Sequence, residues 1–173
     1  TAAQEEILAA ECAACPSMGA CSSLGTANTM QILTEALGMT LPGSSTIPAV
    51  FTDKIVSCRH MGSRIVQMVY EDLRPSKIMT REALENAIRM DLAIGGSTNA
   101  VLHIPALANE LGIDLTADEF EKFNRTTPCI ANVRPSGIYA VDDLHFAGGV
   151  PQLFKQLESL VHKECLNVNG QTL

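Results

Sequence analysis

The sequence predicts a helix-rich globular fold with few strands, and three observations lead to that prediction. Apolar residues make up 46% and charged residues 18% of the 173 residues, a balance typical of a chain that buries a core. Aromatic residues make up only 4% and Trp is absent, so the core must be aliphatic. Apolar residues also recur at helical spacing in successive stretches that short Pro- or Gly-containing turns connect.

The first half of the chain predicts three helical stretches. Residues 2–12 are rich in strong helix formers. Residues 26–38 follow with one apolar stripe and with Gly38 as the stop signal. That stripe consists of Met30, Leu33, Ala36 and Leu37. The third stretch lies between Ala49 and Glu71. Its expected core positions are Ile55, Val56, Ile65, Val66 and Val69.

The second half predicts further helices and the few strands. Thr80 can cap a helix that begins at Arg81, and its expected inner stripe is Leu84, Ala87, Ile88 and Leu92. Ser97 or Thr98 can cap the next helix. Thr116 and Glu119 have the spacing of a capping box for a short helix. Residues 148–160 predict a last helix, and extended structure is expected over residues 127–143 and 165–170.

Charge and composition exclude several classes of function. The chain has 12 Lys and Arg against 19 Asp and Glu, so its net charge of −7 gives no surface for nucleic acid or anionic lipid. No apolar run reaches the roughly 20 residues of a membrane span. Six cysteines without a secretion signal indicate reduced thiols, or thiols that bind metal, rather than a disulfide framework.

Cys15 and Cys21 are the first candidate site. Their C-x5-C spacing does not fit a redox dithiol, and with Cys12 they do not supply the spacings of a zinc site. Buried cysteines in a turn are therefore one interpretation. The setting of Cys21 favours the other, because glycine and hydroxyl residues surround it near a predicted helix start. Backbone N–H groups and the helix dipole would stabilise a metal-ligating thiolate there.

The second candidate site is the stretch Gly95–Ala100, GGSTNA. Two glycines followed by Ser, Thr and Asn at a helix start can cradle a carboxylate or a phosphate. Ordinary capping with a close backbone crossing explains the same residues, and the lysine of a phosphate-binding loop is missing. The candidate substrate-binding residues are Thr26 beside the first site and Ser97, Thr98 and Asn99 in the second.

Three long motifs carry a resemblance to a known family. They are CPSMGACSSLGTANTMQILTEALGMTLPG, DLRPSKIMTREALENAIRMDLAIGGSTNAVLH and VRPSGIYAVDDLHFAGGVP, which occupy residues 15–43, 72–103 and 133–151. In this order they resemble the dihydroxy-acid and sugar-acid dehydratases from about Cys15 to Leu173. The resemblance implies that residues 1–173 are a single partial domain of the α/β class. They would be a helix-rich part of a larger three-layer N-terminal domain, without the C-terminal swivelling β-rich domain.

The resemblance also implies a chemistry. Members of the family dehydrate a 2,3-dihydroxy acid to a 2-keto acid. Three cysteines hold an iron–sulfur cluster, [2Fe–2S] or [4Fe–4S], that leaves one iron open as a Lewis acid for the departing 3-hydroxyl. A nearby Mg²⁺ binds the carboxylate and the 2-hydroxyl, and a base removes the C2 proton.

Residue by residue, the resemblance assigns one ligand to this chain. The family motif C-P-x-C-G-x-C ends in a cluster cysteine, and that position matches Cys21. Met18 replaces the middle cysteine, and the match does not make Cys15 a ligand. The other two cluster cysteines and the Mg²⁺ ligands lie upstream in family members, and the serine base lies downstream. With one ligand of three, the 173-residue chain alone is expected neither to hold a cluster nor to turn over substrate.

The resemblance also leads to expectations about the substrate and the oligomeric state. Most features favour the dihydroxy-acid dehydratase of branched-chain amino-acid biosynthesis. The stretch around Gly25 instead resembles the pentonate and hexonate dehydratases, in which a glycine often stands at this position. A small residue beside the cluster cysteine would make room for a larger acid. A non-catalytic fragment or dimerisation module is the alternative of another class. The family further implies a homo-oligomer, dimer or tetramer, in the cytoplasm or in an organelle matrix of a eukaryote.

Overall fold

The computed structural model describes residues 3–14 and 18–173, and Cys15 lies outside the described residues. Helices dominate this part of the chain. They are α1 (Gln4–Ala14), α2 (Thr26–Ala36), α3 (Thr52–Tyr70), α4 (Pro75–Ile78), α5 (Arg81–Ile94), α6 (Ala100–Glu110), α7 (Ala117–Asn124), α8 (Val141–Phe146) and α9 (Gly149–Gln156). No helix among the described residues combines the length and the apolar character that crossing a membrane requires. The predicted helix-rich character is confirmed.

The two predicted extended stretches do not form strands. The first contains an isolated bridge between Val133 and Tyr139, and the second lies at a bridge between Leu166 and Thr172. Both stretches instead bond to other parts of the chain. The Ile130 N–H donates to the Ala93 carbonyl of α5 at 2.8 Å, and the Val168 N–H donates to the Gly38 carbonyl just after α2 at 2.8 Å. Within the described residues there is no sheet to pair with, so the extended residues remain single bridges.

The core is built around α5. Helices α2, α6 and α7 pack on it, and α9 packs on α2 and α8. In the predicted stripe of α5, Leu84, Ala87 and Ile88 are fully buried, and Leu92 is half-buried against the core. In the stripe of α2, Leu33, Ala36 and Leu37 are buried, and Met30 is half-buried against the core.

The termini of the helices follow the sequence signals only in part. The Thr80 hydroxyl accepts from the Ala83 N–H at 3.4 Å, as predicted for the start of α5. Thr116 precedes α7 but makes no side-chain cap, and the Glu119 carboxylate pairs with the Arg81 guanidinium rather than with the Thr116 N–H. Tertiary ion pairing has thus replaced the predicted capping box.

Helix α3 is the main departure from the predicted core. Its five expected core positions, Ile55, Val56, Ile65, Val66 and Val69, are all exposed, between 40% and 74%. The residues that α3 does bury are Ser57 and Met68. Met68 packs in a small cluster with Ile78 and Val168, so α3 docks through the side opposite to the predicted one.

Candidate functional site

The loop that carries Cys21 is held by backbone contacts to a distant turn. The Leu24 N–H donates to the Arg134 carbonyl at 2.6 Å, and the Val141 N–H donates to the Ser22 carbonyl at 3.0 Å. From α2, the Asn28 amide donates to the Ser23 carbonyl at 2.8 Å and also to the Cys21 carbonyl. Buried Asn28 therefore ties the loop to the first turn of the helix.

The Cys21 thiol is exposed and chemically activated. The Ser23 hydroxyl lies 3.6 Å from Cys21 Sγ and, together with nearby backbone N–H groups, lowers the pKa of the thiol. A Cβ at Gly25 would lie 3.9 Å from the same sulfur, so Gly25 borders the sulfur at the start of α2. An accessible thiol with a lowered pKa has the properties of a metal ligand.

Cys165 is the opposite case. It is buried, and burial raises the pKa of its thiol to about 11. The buried Asn86 amide lies 3.5 Å from its sulfur, which fixes it in the core. The structure therefore separates one activated thiol from an inert one.

Three of the four predicted substrate-binding residues come together. Thr26 Oγ1 lies 3.0 Å from Ser97 Oγ and accepts from the Asn99 amide at 2.7 Å. Thr29 Oγ1 accepts from the Ser97 N–H at 3.1 Å. These residues, Thr26, Thr29, Ser97 and Asn99, are called the hydroxyl–amide cluster below.

The fourth predicted residue, Thr98, is exposed, and no side-chain hydrogen bond involves it among the described residues. The predicted capping of α6 by Ser97 or Thr98 is wrong. Asn99 stands at the N-cap without a side-chain cap, and its amide donates to Thr26 instead, while the Ser97 hydroxyl contacts Thr26 and accepts from the Asn99 N–H. The GGSTNA stretch thus serves to join α6 to α2.

A buried carboxyl group, that of Asp91, lies against the turn at Gly96. Asp91 is only 6% exposed, and its Oδ1 has no hydrogen-bond partner among the described residues. Desolvation raises its pKa to about 7. A Cβ at Gly96 would overlap Asp91 Oδ1 and lie 3.0 Å from Thr29 Cγ2, so the glycine permits the close approach.

Sequence reasoning did not single out Asp91, although a signal was present. Asp91 follows Leu84 by seven residues and so falls on the buried stripe of α5. An acidic residue in the register of a core stripe is the pattern that could have found it. Ser23 was grouped only with its hydroxyl neighbours, but its position two residues after Cys21 is what activates the thiol.

A cleft of about 660 Å³ opens beside Cys21, and the residues of the hydroxyl–amide cluster do not line it. Cys21 and Asn28 line it together with hydroxyl residues of the loop that follows α2. The Glu35 carboxylate holds this loop by accepting from the Gly43 and Ser45 N–H groups at 2.5 and 3.0 Å. Lys54 of α3 brings an ammonium group to the wall and donates to the Ser44 carbonyl at 2.9 Å.

The described residues fit one ligand of a metal cluster. Across residues 3–14 and 18–173, no group of three or more His, Cys, Asp or Glu side chains is close enough together to hold a metal ion. Cys21 fits as one thiolate ligand, since it is exposed at a cleft and has a lowered pKa. Its assignment as a cluster ligand stays a prediction.

Comparisons with known proteins match the whole chain. Residues 1–173 match the family described as dihydroxy-acid/6-phosphogluconate dehydratase, N-terminal. A dihydroxy-acid dehydratase of Ignicoccus hospitalis is 51% identical over 98% of this chain and 31% of its own length. Those of Caldicellulosiruptor saccharolyticus and Methanothermobacter thermautotrophicus are each 47% identical over the same shares. The chain therefore spans about a third of the length of the relatives it matches.

Proposed function

The chain belongs to the dihydroxy-acid/6-phosphogluconate dehydratase family, and from this membership we propose that it is part of a hydro-lyase. The full-length protein dehydrates a 2,3-dihydroxy acid to a 2-keto acid. Residues 1–173 are a part of its N-terminal α/β catalytic domain. The relatives named above are dihydroxy-acid dehydratases, which supports the substrate of branched-chain amino-acid biosynthesis. The resemblance further supports a cytoplasmic homo-oligomer.

The observation that carries this proposal is the activated thiol of Cys21. Its lowered pKa and its exposure at a cleft suit one thiolate ligand of an iron–sulfur cluster, [2Fe–2S] or [4Fe–4S]. When bound, such a cluster supplies an open iron as a Lewis acid, and Mg²⁺ acidifies the C2 proton of the acid. Residues outside this chain complete both metal sites.

The chain's own residues then do three things. The Ser23 hydroxyl, 3.6 Å from the Cys21 sulfur, lowers the pKa of the thiol and so favours its thiolate form. Asn28 and the turn at Arg134 fix the loop, so that the sulfur keeps its position at the start of α2. The cleft is wide enough for a small dihydroxy acid, and Lys54 gives its wall a positive charge for a carboxylate.

One observation favours the second candidate, a pentonate or hexonate dehydratase. Gly25 borders the Cys21 sulfur, since its missing side chain would point toward it at 3.9 Å. A glycine there leaves space beside the metal ligand for a longer polyol acid.

The test is made on the full-length protein with the variant Cys21→Ser. We expect it to lose the iron–sulfur absorbance and the bound iron and sulfide, and with them keto-acid formation from dihydroxy-isovalerate. The matched control Cys129→Ser removes another exposed cysteine and should keep both. An unchanged iron content in Cys21→Ser would reject the ligand assignment. Faster turnover of a pentonate than of dihydroxy-isovalerate would favour the second candidate.

A further inference from the structure

Helix α3 presents an apolar face to solvent. Ile55, Ile65 and Val66 are each more than half exposed, and Val69 and Tyr70 are 74% and 87% exposed. These five residues are called the α3 face below. Scattered apolar residues on a surface are ordinary, but five on one face of one helix indicate an interaction surface.

The rest of the described chain holds α3 only weakly. Met68 is its buried apolar residue, in a cluster with Ile78 and Val168. A helix of 19 residues gains most of its stability from packing an apolar stripe, and here the stripe is on the outside. Helix α1 is similar, since none of its residues is buried.

The shape of the α3 face indicates the kind of surface that covers it. At 3.6 residues per turn, Ile65, Val69, Ile55, Val66 and Tyr70 span an arc of about 140°. This is wider than the seam of a two-stranded coiled coil and typical of a helix that packs on a domain interior. Gly62 lies in the middle of the arc with nothing within 4 Å of its missing side chain, which leaves room for a close neighbour.

The location of the α3 face indicates which polypeptide packs on it. Lys54 and Met61 line the cleft beside Cys21 and lie on the flank of the α3 face, and α1 reaches the same cleft through Ala14. About two thirds of a relative's length falls outside this chain. Under the proposed function, that remaining polypeptide must bring further cluster ligands to Cys21, and so it must arrive beside α3.

We propose that the remainder of the protein's own polypeptide packs on the α3 face, and that α3 is an internal helix of the complete domain. The proposed function enters this proposal at one point only, the argument that the remaining polypeptide brings cluster ligands to Cys21 and therefore lies beside α3. A second copy of the chain, or solvent, is the alternative that the experiment separates.

Cys58 provides a direct probe, because it lies on the α3 face between Ile65 and Val69 and is exposed in this chain. Native full-length protein is treated with iodoacetamide, and the rate at each cysteine is followed by peptide mass spectrometry. The matched control is the variant His60→Cys, which places a thiol on the same helix outside the face. We expect Cys58 to react at least about tenfold more slowly than the thiol introduced at position 60, as for a group that needs local opening.

Every outcome decides the proposal. Equal rates at the two positions would show that the face is open to solvent and would overturn it. Protection that disappears when the protein is diluted to a monomer would identify a second copy and would also overturn it. Protection that persists in the monomer supports it. The readout needs neither cluster nor turnover, so an inactive protein with a protected Cys58 would reject only the proposed function.

Discussion

Helices α5 and α3 have similar amphipathic sequences and opposite surroundings. Nine of the 14 residues of α5 are buried, whereas two of the 19 residues of α3 are. Helix α5 packs on α2, α6 and α7 within the described chain. Helix α3 has few packing contacts there, mainly those of Met68 with Ile78 and Val168. The difference teaches that an apolar stripe does not by itself say whether this stretch of chain covers it, since the predicted face is buried in α5 and exposed in α3.

The largest expected change in stability comes from shortening one side chain in the apolar stripe of α5 and, separately, one in that of α3. Both variants are made in the 173-residue chain. Leu84→Ala in α5 is expected to lower the free energy of unfolding by about 2–5 kcal/mol, because it leaves a cavity in a fully buried site. Ile65→Ala in α3 should cost less than about 0.5 kcal/mol, because its side chain is 56% exposed. Urea unfolding followed by circular dichroism measures both.

Leu84→Met serves as the control in α5, since it conserves volume and should cost less than about 1.5 kcal/mol. Equal losses for Leu84→Ala and Ile65→Ala in the 173-residue chain would break the comparison, since both helices would then be packed. In the full-length protein the Ile65→Ala loss is expected to rise toward that of Leu84→Ala.

The second prediction is a pH dependence of the free energy of unfolding, caused by the buried carboxyl group of Asp91 in α5. Burial raises the pKa of Asp91 to about 7, while in the unfolded chain it has the ordinary value near 4. Between these values the unfolded chain releases a proton that the folded chain keeps. The free energy of unfolding should therefore fall as pH rises from about 4 to about 7, by at most about 1.4 kcal/mol per pH unit, and stay level above.

Asp91→Asn should remove this slope in urea titrations at pH 5, 6 and 7. The control for this pH dependence is Glu71→Gln, at the C-terminal end of α3. Glu71 is an exposed carboxylate whose pKa its partner Arg64 lowers, so it does not contribute to a loss of stability in this range. A slope that persists in Asp91→Asn would mean that another buried group titrates.

The sequence predicted most of the helices and only part of the site, for identifiable physical reasons. The spacing of Leu84, Ala87 and Ile88 is a local signal, and local signals give the buried face of α5. The predicted strands did not form because a strand needs a partner strand. Within residues 127–143 the structure has one isolated bridge, between Val133 and Tyr139.

The site shows the same division between local and tertiary information. Ser23 acts on Cys21 from two residues away, so the activation of the thiol was within reach of sequence reasoning. The meeting of Thr26 with Ser97 and Asn99 joins positions more than 70 residues apart. Both stretches could be identified as candidates, but only the packing of α2 against α6 brings them together.

The smallest expected change in stability comes from replacing two glycines by alanine: Gly96, just after α5, and Gly62, in α3. At Gly96 a Cβ would overlap the carboxyl group of Asp91, so Gly96→Ala should destabilise the chain by about 1–3 kcal/mol. At Gly62, in the middle of α3, nothing lies within 4 Å. Gly62→Ala should therefore stabilise the 173-residue chain by about 0.5–1 kcal/mol through helix propensity alone.

The two substitutions are the same chemical change, so the opposite signs isolate the surroundings of each glycine. Combining Gly96→Ala with Asp91→Ala should recover part of the loss, because the overlapping carboxyl group is then absent. The gain from Gly62→Ala should disappear in the full-length protein, where a neighbour on the α3 face would meet the added methyl group. A gain of the same size in both forms would mean that α3 stays open, and the contrast with α5 would then hold for the full-length protein as well as for the 173-residue chain.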